Sequence, residues 1–491
     1  MNRSMGSSYQ KWLAQERAAA ELLGVVYDLW LNQGVELFLF RRSLKDTPLH
    51  MVIRYHKLSR DISEVTLTVE DSLAIARTLQ RMNLPMSKIG IGRLGIEWKK
   101  QQKDYPSLEA FLERTLDKLI KSQQALKEKD VVLYGFGRIG RLIARKMIKS
   151  TGIGKQLILR AVVVRKIDAE QLAKRAELLR NDSIHGPFYG IVEVDPATMS
   201  LIVNGQRIRF IAHNGTPDQL DYTQYGIQNA LIIDSTGAWR DEKGLGQHLH
   251  AKGVHKVLLT APGKGGLPNI VFGVNHRILE DRQRLVTAAS CTTNAIVPVL
   301  KVLDDHFEIV HGHIETIHSY TNDQNLLDNF HKKYRRGRAA PLNMVITETG
   351  AGKAVAKALP HLKGKLTGNA VRVPTPDGSL AILHLRFHRE VDASTINNVL
   401  RRASIQGPLA EQIEYSSSRE LVSSDVVGSP YASIVDGAAT IAQPAYKSAT
   451  VYVWYDNEYG YVEQVFRLAK YISRVSRPAY HIALDDMKGN P

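Results

Sequence analysis

Cys291 is the only cysteine in 491 residues, and it sits in Ser290-Cys291-Thr292-Thr293-Asn294. The residues before it, Leu285 to Ala289, read as a strand. Those after it carry apolar side chains at Ile296, Val297, Val299, Leu300 and Leu303, a helical spacing. A thiol at that junction lies at a helix N-terminus, where unpaired N–H groups and the helix dipole favour a thiolate. A nucleophilic thiol needs a base beside it, and His318 in Ile317-His318-Ser319-Tyr320-Thr321 is the candidate. The competing reading is an inert buried cysteine, the commoner fate of a lone thiol.

A second chemistry lies upstream. Val131 to Tyr134 is a short apolar strand, and Gly135-Phe136-Gly137-Arg138-Ile139-Gly140 leads from it into a helix with Leu142, Ile143, Met147 and Ile148. This is the context a dinucleotide fingerprint requires. Gly135 makes the turn, Gly137 lets backbone approach a pyrophosphate, Gly140 allows close packing, and the helix start at Arg138 and Ile139 faces the phosphates. The next strand, Leu157 to Val164, ends in Arg165-Lys166. An acid at that place holds the ribose hydroxyls of NAD, whereas two cations suit a 2′-phosphate, so NADP is expected alone or alongside NAD. Asp168 lies close enough to restore the acid after a small loop shift. Gly263-Lys264-Gly265-Gly266 lacks the spacing of a phosphate loop and reads as an ordinary loop. Ile309 to Ser319 alternates as a strand, with His311 and His313 on one face. No cysteine or clear carboxylate set accompanies them, and no metal is expected.

The cysteine stretch resembles the active-site signature of the phosphorylating glyceraldehyde-3-phosphate dehydrogenases. Other pieces agree in the same order: Tyr134 to Arg141, Ser235-Thr236-Gly237, Gly364 to Gly368, Arg372 to Pro376, and Trp454 to Tyr461. The likeness spans roughly residues 130 to 475. It implies Cys291 as nucleophile and His318 as its base, with Thr236 and Thr260 lining the cofactor cleft and Asn457 bonding the nicotinamide carboxamide. It further implies substrate and phosphate contacts near Ser290, Thr292, Thr321, Arg336, Thr349, Gly350 and Arg372. The implied substrates are glyceraldehyde 3-phosphate and inorganic phosphate, and the implied assembly is a homotetramer. Two departures stand out. Asn329-Phe330 replaces a Leu-Pro pair often found in members strict for NAD, and Asp377-Gly378 replaces a frequent Asn-Val without an expected effect on chemistry. Oxidation of another phosphorylated aldehyde, such as erythrose 4-phosphate, stays open. So does a regulatory or nucleic-acid-binding protein built on a dehydrogenase fold.

The length predicts two or three domains. The expected fold class is α/β, with five segments. Residues 1–128 form a mostly helical extension of unknown role, and residues 129–290 a doubly wound dinucleotide-binding domain. Residues 291–455 form an α+β catalytic domain, 456–475 a helix returning to the dinucleotide domain, and 476–491 a tail. Within the extension, helices are expected over 8–31, Val69 to Met82 behind Thr68, and Ser107 to Lys127. Val35 to Leu44 and Met51 to Leu58 look extended, and Gly90 to Gly95 looks like a turn. The composition, 44% hydrophobic and 23% charged, is that of a globular protein. The net charge of +16 is spread along the chain, since residues 1–129 hold 21 Lys/Arg against 15 Asp/Glu. It suits collection of anionic substrates better than a nucleic-acid partner, for which no motif is present. One cysteine excludes an internal disulfide framework. With no signal peptide or apolar span expected, the chain reads as cytoplasmic.

Overall fold

The computed structural model describes residues 2–40, 42–57, 65–122, 127–151, 156–347, 349–405 and 407–480. The extension opens with a long helix, Asn2–Asp28, followed by strands β1 (Glu36–Leu39) and β2 (Arg42–Ser43). Leu49–Lys57 is a helix, not the extended segment expected, because Val52, Ile53 and His56 recur at helical spacing and are buried together. The helix Val69–Arg81 starts where the sequence places it. Thr68 and Asp71 exchange a capping box that satisfies two orphan donors, worth about 1 kcal/mol. β3 (Lys88–Gly90) runs into the helix Ile91–Gln101, so the glycines expected in a turn lie inside a helix. Close packing accounts for Gly95, where a Cβ would come within 2.4 Å of the Leu67 side chain. Ser107 caps the helix Leu108–Thr115, which breaks at Leu116 before Asp117–Ile120; residues 123–126 of the expected helix lie outside the described residues.

The dinucleotide domain contributes β4 (Lys129–Tyr134), β5 (Leu157–Val164), β6 (Val192–Asp195), β7 (Ser200–Val203), β8 (Gln206–Ala212), β9 (Ala230–Asp234), β10 (Val254–Leu259) and β11 (Leu285–Thr287). They form one sheet in the order β11-β10-β9-β4-β5-β8-β7-β6, parallel from β11 to β8 and closed by an antiparallel meander. The central strands are apolar on both faces, as a sheet covered on both sides requires. The helix Tyr459–Ile472 returns to this domain, burying Tyr461, Val462, Val465 and Leu468 in the same core as the helix Arg138–Ser150.

The catalytic sheet contains β12 (Ile309–Ser319), β13 (Val345–Thr347), β14 (Leu366–Val373), β15 (Ser379–Phe387), β16 (Ile413–Ser416), β17 (Ser433–Asp436), β18 (Ile441–Gln443) and β19 (Ser448–Tyr455). Its order is β13-β14-β12-β15-β19-β17-β16, with β18 paired to β19. The helices Cys291–Phe307, Ala351–Ala358 and Ala393–Ile405 share one hydrophobic core with it. The expected tail also has structure: β20 (Ala479–Tyr480) pairs in parallel with β3, tying the end of the described chain to the extension. Among the described residues, no helix is long and apolar enough to cross a membrane.

Candidate active site

The parallel pairing of β12 with β14 sets His318 directly beside Arg372. The helix Cys291–Phe307 brings the thiol to them. Its N-cap is Ser290, whose Oγ accepts from the Thr293 N–H at 3.0 Å. The turn before it is strained: Ala289 has φ of +52°, in the left-handed region that costs a side-chain-bearing residue about 1–2 kcal/mol. Tyr461 donates to the Ala289 carbonyl at 3.0 Å, so the returning helix braces this turn. Cys291 packs against the cores of both domains and therefore sits on their boundary.

The Cys291 Sγ lies 3.5 Å from His318 Nε2. His318 Nδ1 is 2.7 Å from the Ser319 carbonyl, which assigns the ring proton to Nδ1 and leaves the Nε2 lone pair facing sulfur. Arg372 Nη1 donates to the Ser319 carbonyl at 2.9 Å and to Thr321 Oγ1 at 3.2 Å, and stands 3.0 Å from His318 Nδ1. Burial pushes the Cys291 thiol above its ordinary range, outweighing Arg372, Thr292 and the helix's own N–H groups. Burial and then the Arg372 charge hold His318 down to about 3, against the pull of the Ser319 carbonyl. The expectation of a resting thiolate is corrected here. Both shifts favour the uncharged forms, thiol and imidazole, because loss of solvent around the half-buried sulfur outweighs the helix end.

Three expected anion-binding residues meet in this corner. Asp323, which the sequence did not single out, accepts from the Thr321 hydroxyl and pairs with Arg336. Arg336 also donates to Thr347 Oγ1 at 3.1 Å. Burial works to raise the Asp323 carboxyl, but Thr321, Arg336 and Arg372 hold it below its usual range. The other expected contacts are engaged elsewhere. The Ser290 hydroxyl caps its helix, and Thr292 Oγ1 lies 3.0 Å from the Tyr455 hydroxyl. Thr349 accepts from the Ala351 N–H, and Gly350 is the N-cap of that helix. No hydrogen bond among the described residues links Thr349 or Gly350 to Arg372.

The dinucleotide fingerprint has the geometry its glycines imply. Gly135 adopts φ of +102°, and a Cβ on Gly140 would come within 2.6 Å of the Gly135 carbonyl. A cavity of about 490 Å³ opens there, lined by Gly135, Gly137, Arg165, Arg175 and Thr236 among others. Bare backbone at a helix start with cations at the strand end fits a nicotinamide dinucleotide. Asp168 caps the helix Ala169–Arg180, its Oδ1 accepting from the Gln171 N–H at 2.8 Å. Ile139 packs into the core, while the Arg138 guanidinium pairs with Glu458 and Asp182, leaving its backbone at the helix start. The Thr260 hydroxyl donates to the Asp234 carbonyl at 3.2 Å, bracing the end of β10. Asn457 is fixed by two contacts: its Oδ1 accepts from Ser379 Oγ at 2.6 Å, and its N–H donates to Asp377 Oδ1 at 3.2 Å.

That places the Asp377 departure in the floor of the site. His185 Nε2 lies 3.1 Å from Asp456 and 3.2 Å from Asp377. Burial opposes the imidazolium, but these two carboxylates hold it up at about 10. His185, Asp377 and Glu458 are close enough to chelate, yet Arg138 already balances Glu458. His313 is hydrogen-bonded to Thr367 and Asn369, both at 2.9 Å. Of the residues sequence reasoning passed over, Tyr455 and Tyr461 lay inside a quoted motif, whereas Asp323, Arg175 and His185 carried no local signal.

Comparison with known proteins agrees with this geometry. Residues 129–242 match the family model described as glyceraldehyde 3-phosphate dehydrogenase, NAD binding domain, and residues 290–457 match that of its C-terminal domain. A "Glyceraldehyde-3-phosphate dehydrogenase-like protein" of Pseudomonas aeruginosa is 47% identical over 463 residues, 94% of this chain and 100% of that protein. "Glyceraldehyde-3-phosphate dehydrogenase 2" of Trichormus variabilis is 40% identical over 344 residues, 70% of this chain and 98% of that protein. The protein of the same name from Bacillus subtilis is 39% identical over 352 residues, 71% of this chain and 98% of that protein.

Proposed function

This chain belongs to the glyceraldehyde-3-phosphate dehydrogenase family and is a dehydrogenase with a nicotinamide-cofactor domain, and we propose that it converts glyceraldehyde 3-phosphate and inorganic phosphate into 1,3-bisphosphoglycerate. The observation that carries this reading is the 3.5 Å approach of Cys291 Sγ to the free lone pair of His318 Nε2 on the boundary of the two domains. As sulfur adds to the aldehyde carbon, His318 takes the thiol proton and passes it to the former carbonyl oxygen, giving a hemithioacetal. N–H groups at the start of the Cys291 helix stabilise the oxyanion that forms first. Nicotinamide, when bound, supplies the hydride acceptor. His318 receives the hydroxyl proton as hydride departs, leaving a thioester on Cys291. Phosphate then attacks the acyl carbon, the acyl phosphate leaves, and the thiolate recovers its proton from His318. Arg372, Thr321 and Arg336 hold the anionic groups, since guanidinium forks and hydroxyls suit phosphate oxygens.

Arg165 with Arg175, and the use of Asp168 as a helix cap, support NADP as a cofactor, alone or beside NAD. A homotetramer is supported by the loop carrying Leu326, Leu327, Phe330, Tyr334 and Met344, whose apolar side chains are 73–93% exposed in the single chain. The lone cysteine fits a reducing cytoplasm. A spectrophotometric assay with glyceraldehyde 3-phosphate, each cofactor in turn, and phosphate present or omitted tests the reading. Turnover that stalls without phosphate supports it. Turnover that continues without phosphate, or that occurs only with erythrose 4-phosphate, overturns it.

A further inference from the structure

One buried hydroxyl joins the two halves of the reacting centre. Ser379, the first residue of β15, is fully buried, and its Oγ reaches toward both. It accepts from the Ser319 N–H at 3.1 Å and donates to Asn457 Oδ1 at 2.6 Å. The first contact exists because the pairing of β12 with β15 ends at Ile317 and Leu380, so a side chain takes over where the ladder stops. Ser319 is itself buried, and its carbonyl holds His318 Nδ1 at 2.7 Å and Arg372 Nη1 at 2.9 Å.

The chemistry of these groups sets the direction of each bond. A backbone N–H can only donate, so Oγ is the acceptor toward Ser319. The hydroxyl has one proton to give. Tyr455, opposite Ser379 on β19, is within its reach, but the Tyr455 hydroxyl is already 3.0 Å from Thr292 Oγ1. The 2.6 Å separation from Asn457 is that of an O–H···O bond and short for an N–H···O bond, which sends the proton there. Asn457 therefore turns its oxygen to Ser379 and its Nδ2 away from it. Among the described residues nothing accepts from that Nδ2. Asp377 holds the Asn457 backbone N–H at 3.2 Å, so the backbone is anchored separately and Ser379 governs the side-chain amide.

We propose that Ser379 is a positioning residue for the dehydrogenase reaction, aiming Asn457 Nδ2 at the carboxamide of a bound nicotinamide while holding the Ser319 segment that orients His318. A single hydroxyl then keeps the hydride-acceptor site and the proton acceptor in register with each other. The inference rests on the dehydrogenase reading proposed above.

Cofactor binding and turnover of Ser379→Ala test this on the full chain. Fluorescence titration compares the dinucleotide that turns over, NAD or NADP, with the matching nucleotide lacking nicotinamide, ADP-ribose or its 2′-phosphate. Ser379→Ala should bind the intact dinucleotide about tenfold more weakly, the effect of one hydrogen bond lost at a buried amide. It should bind the truncated nucleotide as the wild type does, which also shows that the variant is folded. With cofactor and substrate saturating, kcat should fall by about tenfold as well, because a buried Ser319 N–H loses its partner. Ser379→Cys, similar in shape but a weaker donor, carries the same comparison if Ser379→Ala does not fold. Equal losses for both nucleotides, or wild-type affinity and kcat in the variant, would overturn the proposal. Weaker dinucleotide binding with kcat unchanged would overturn the link to His318. All three outcomes leave wild-type turnover intact, whereas a wild type that binds no nicotinamide dinucleotide would overturn the dehydrogenase reading itself.

Discussion

Replacing His318 by asparagine separates two roles that the imidazole could play. The ring could raise the resting population of thiolate, or it could move protons while bonds change. The structure favours the second, because burial and Arg372 hold His318 down to about 3 and leave it no charge with which to stabilise a thiolate at neutral pH. What remains in the ground state is one contact between neutral partners at 3.5 Å, worth about 1 kcal/mol, or less than about one pKa unit on the thiol. Proton transfer in the transition state is worth roughly 10²–10⁴-fold. His318→Asn should therefore slow iodoacetamide alkylation of Cys291 by less than about tenfold, yet cut kcat by roughly 10²–10⁴-fold. Both rates are measured at one pH on the same preparation. Equal losses in alkylation and turnover would refute the reasoning and reduce His318 to a thiol activator.

Other consequences follow from the same contacts. With the thiol held above its ordinary pKa and ionising only as pH rises, alkylation of Cys291 should climb about tenfold per pH unit through neutrality; a plateau below pH about 7 would contradict the neutral resting pair. No inflection should appear near the ordinary imidazole value of about 6.5, because His318 is already deprotonated there. Gly140→Ala would drive a Cβ to 2.6 Å from the Gly135 carbonyl, a backbone clash that side-chain rotation cannot relieve. It should lower stability by about 1–3 kcal/mol and weaken cofactor binding, read by thermal melting and fluorescence titration. Arg165→Ala should raise KM for NADP far more than for NAD; equal specificity constants for NADP in variant and wild type would remove Arg165 from that role.

Much of the site was legible because its residues fall in short contiguous runs. A strand, a glycine-rich turn and a helix follow one another from Val131 to Ile148, and a strand, a cap and a helix run from Leu285 to Phe307. Backbone logic of that kind is local and can be read from spacing. Arg372 next to His318 depends instead on the parallel register of β12 with β14, which no spacing reveals; only the family likeness pointed to it. The resting charge of Cys291 was misjudged for a related reason. A helix N-terminus is visible in sequence, but the burial that outweighs it comes from two domain cores packing against a half-buried thiol. In the extension, the helix Leu49–Lys57 was mistaken for an extended segment, its apolar run being too short for period alone to decide. The glycines of Ile91–Gln101 answer to side chains of other segments, Gly92 to Leu39 and Phe40 and Gly95 to Leu67, contacts that the sequence does not display.

The most direct test is to mix the protein with glyceraldehyde 3-phosphate and cofactor in the absence of phosphate, quench in acid, and map any added mass by peptide spectrometry. A glyceroyl-phosphate adduct on the peptide containing Cys291, discharged when phosphate is restored, is the predicted result. An unmodified Cys291 while reduced cofactor accumulates would contradict the mechanism.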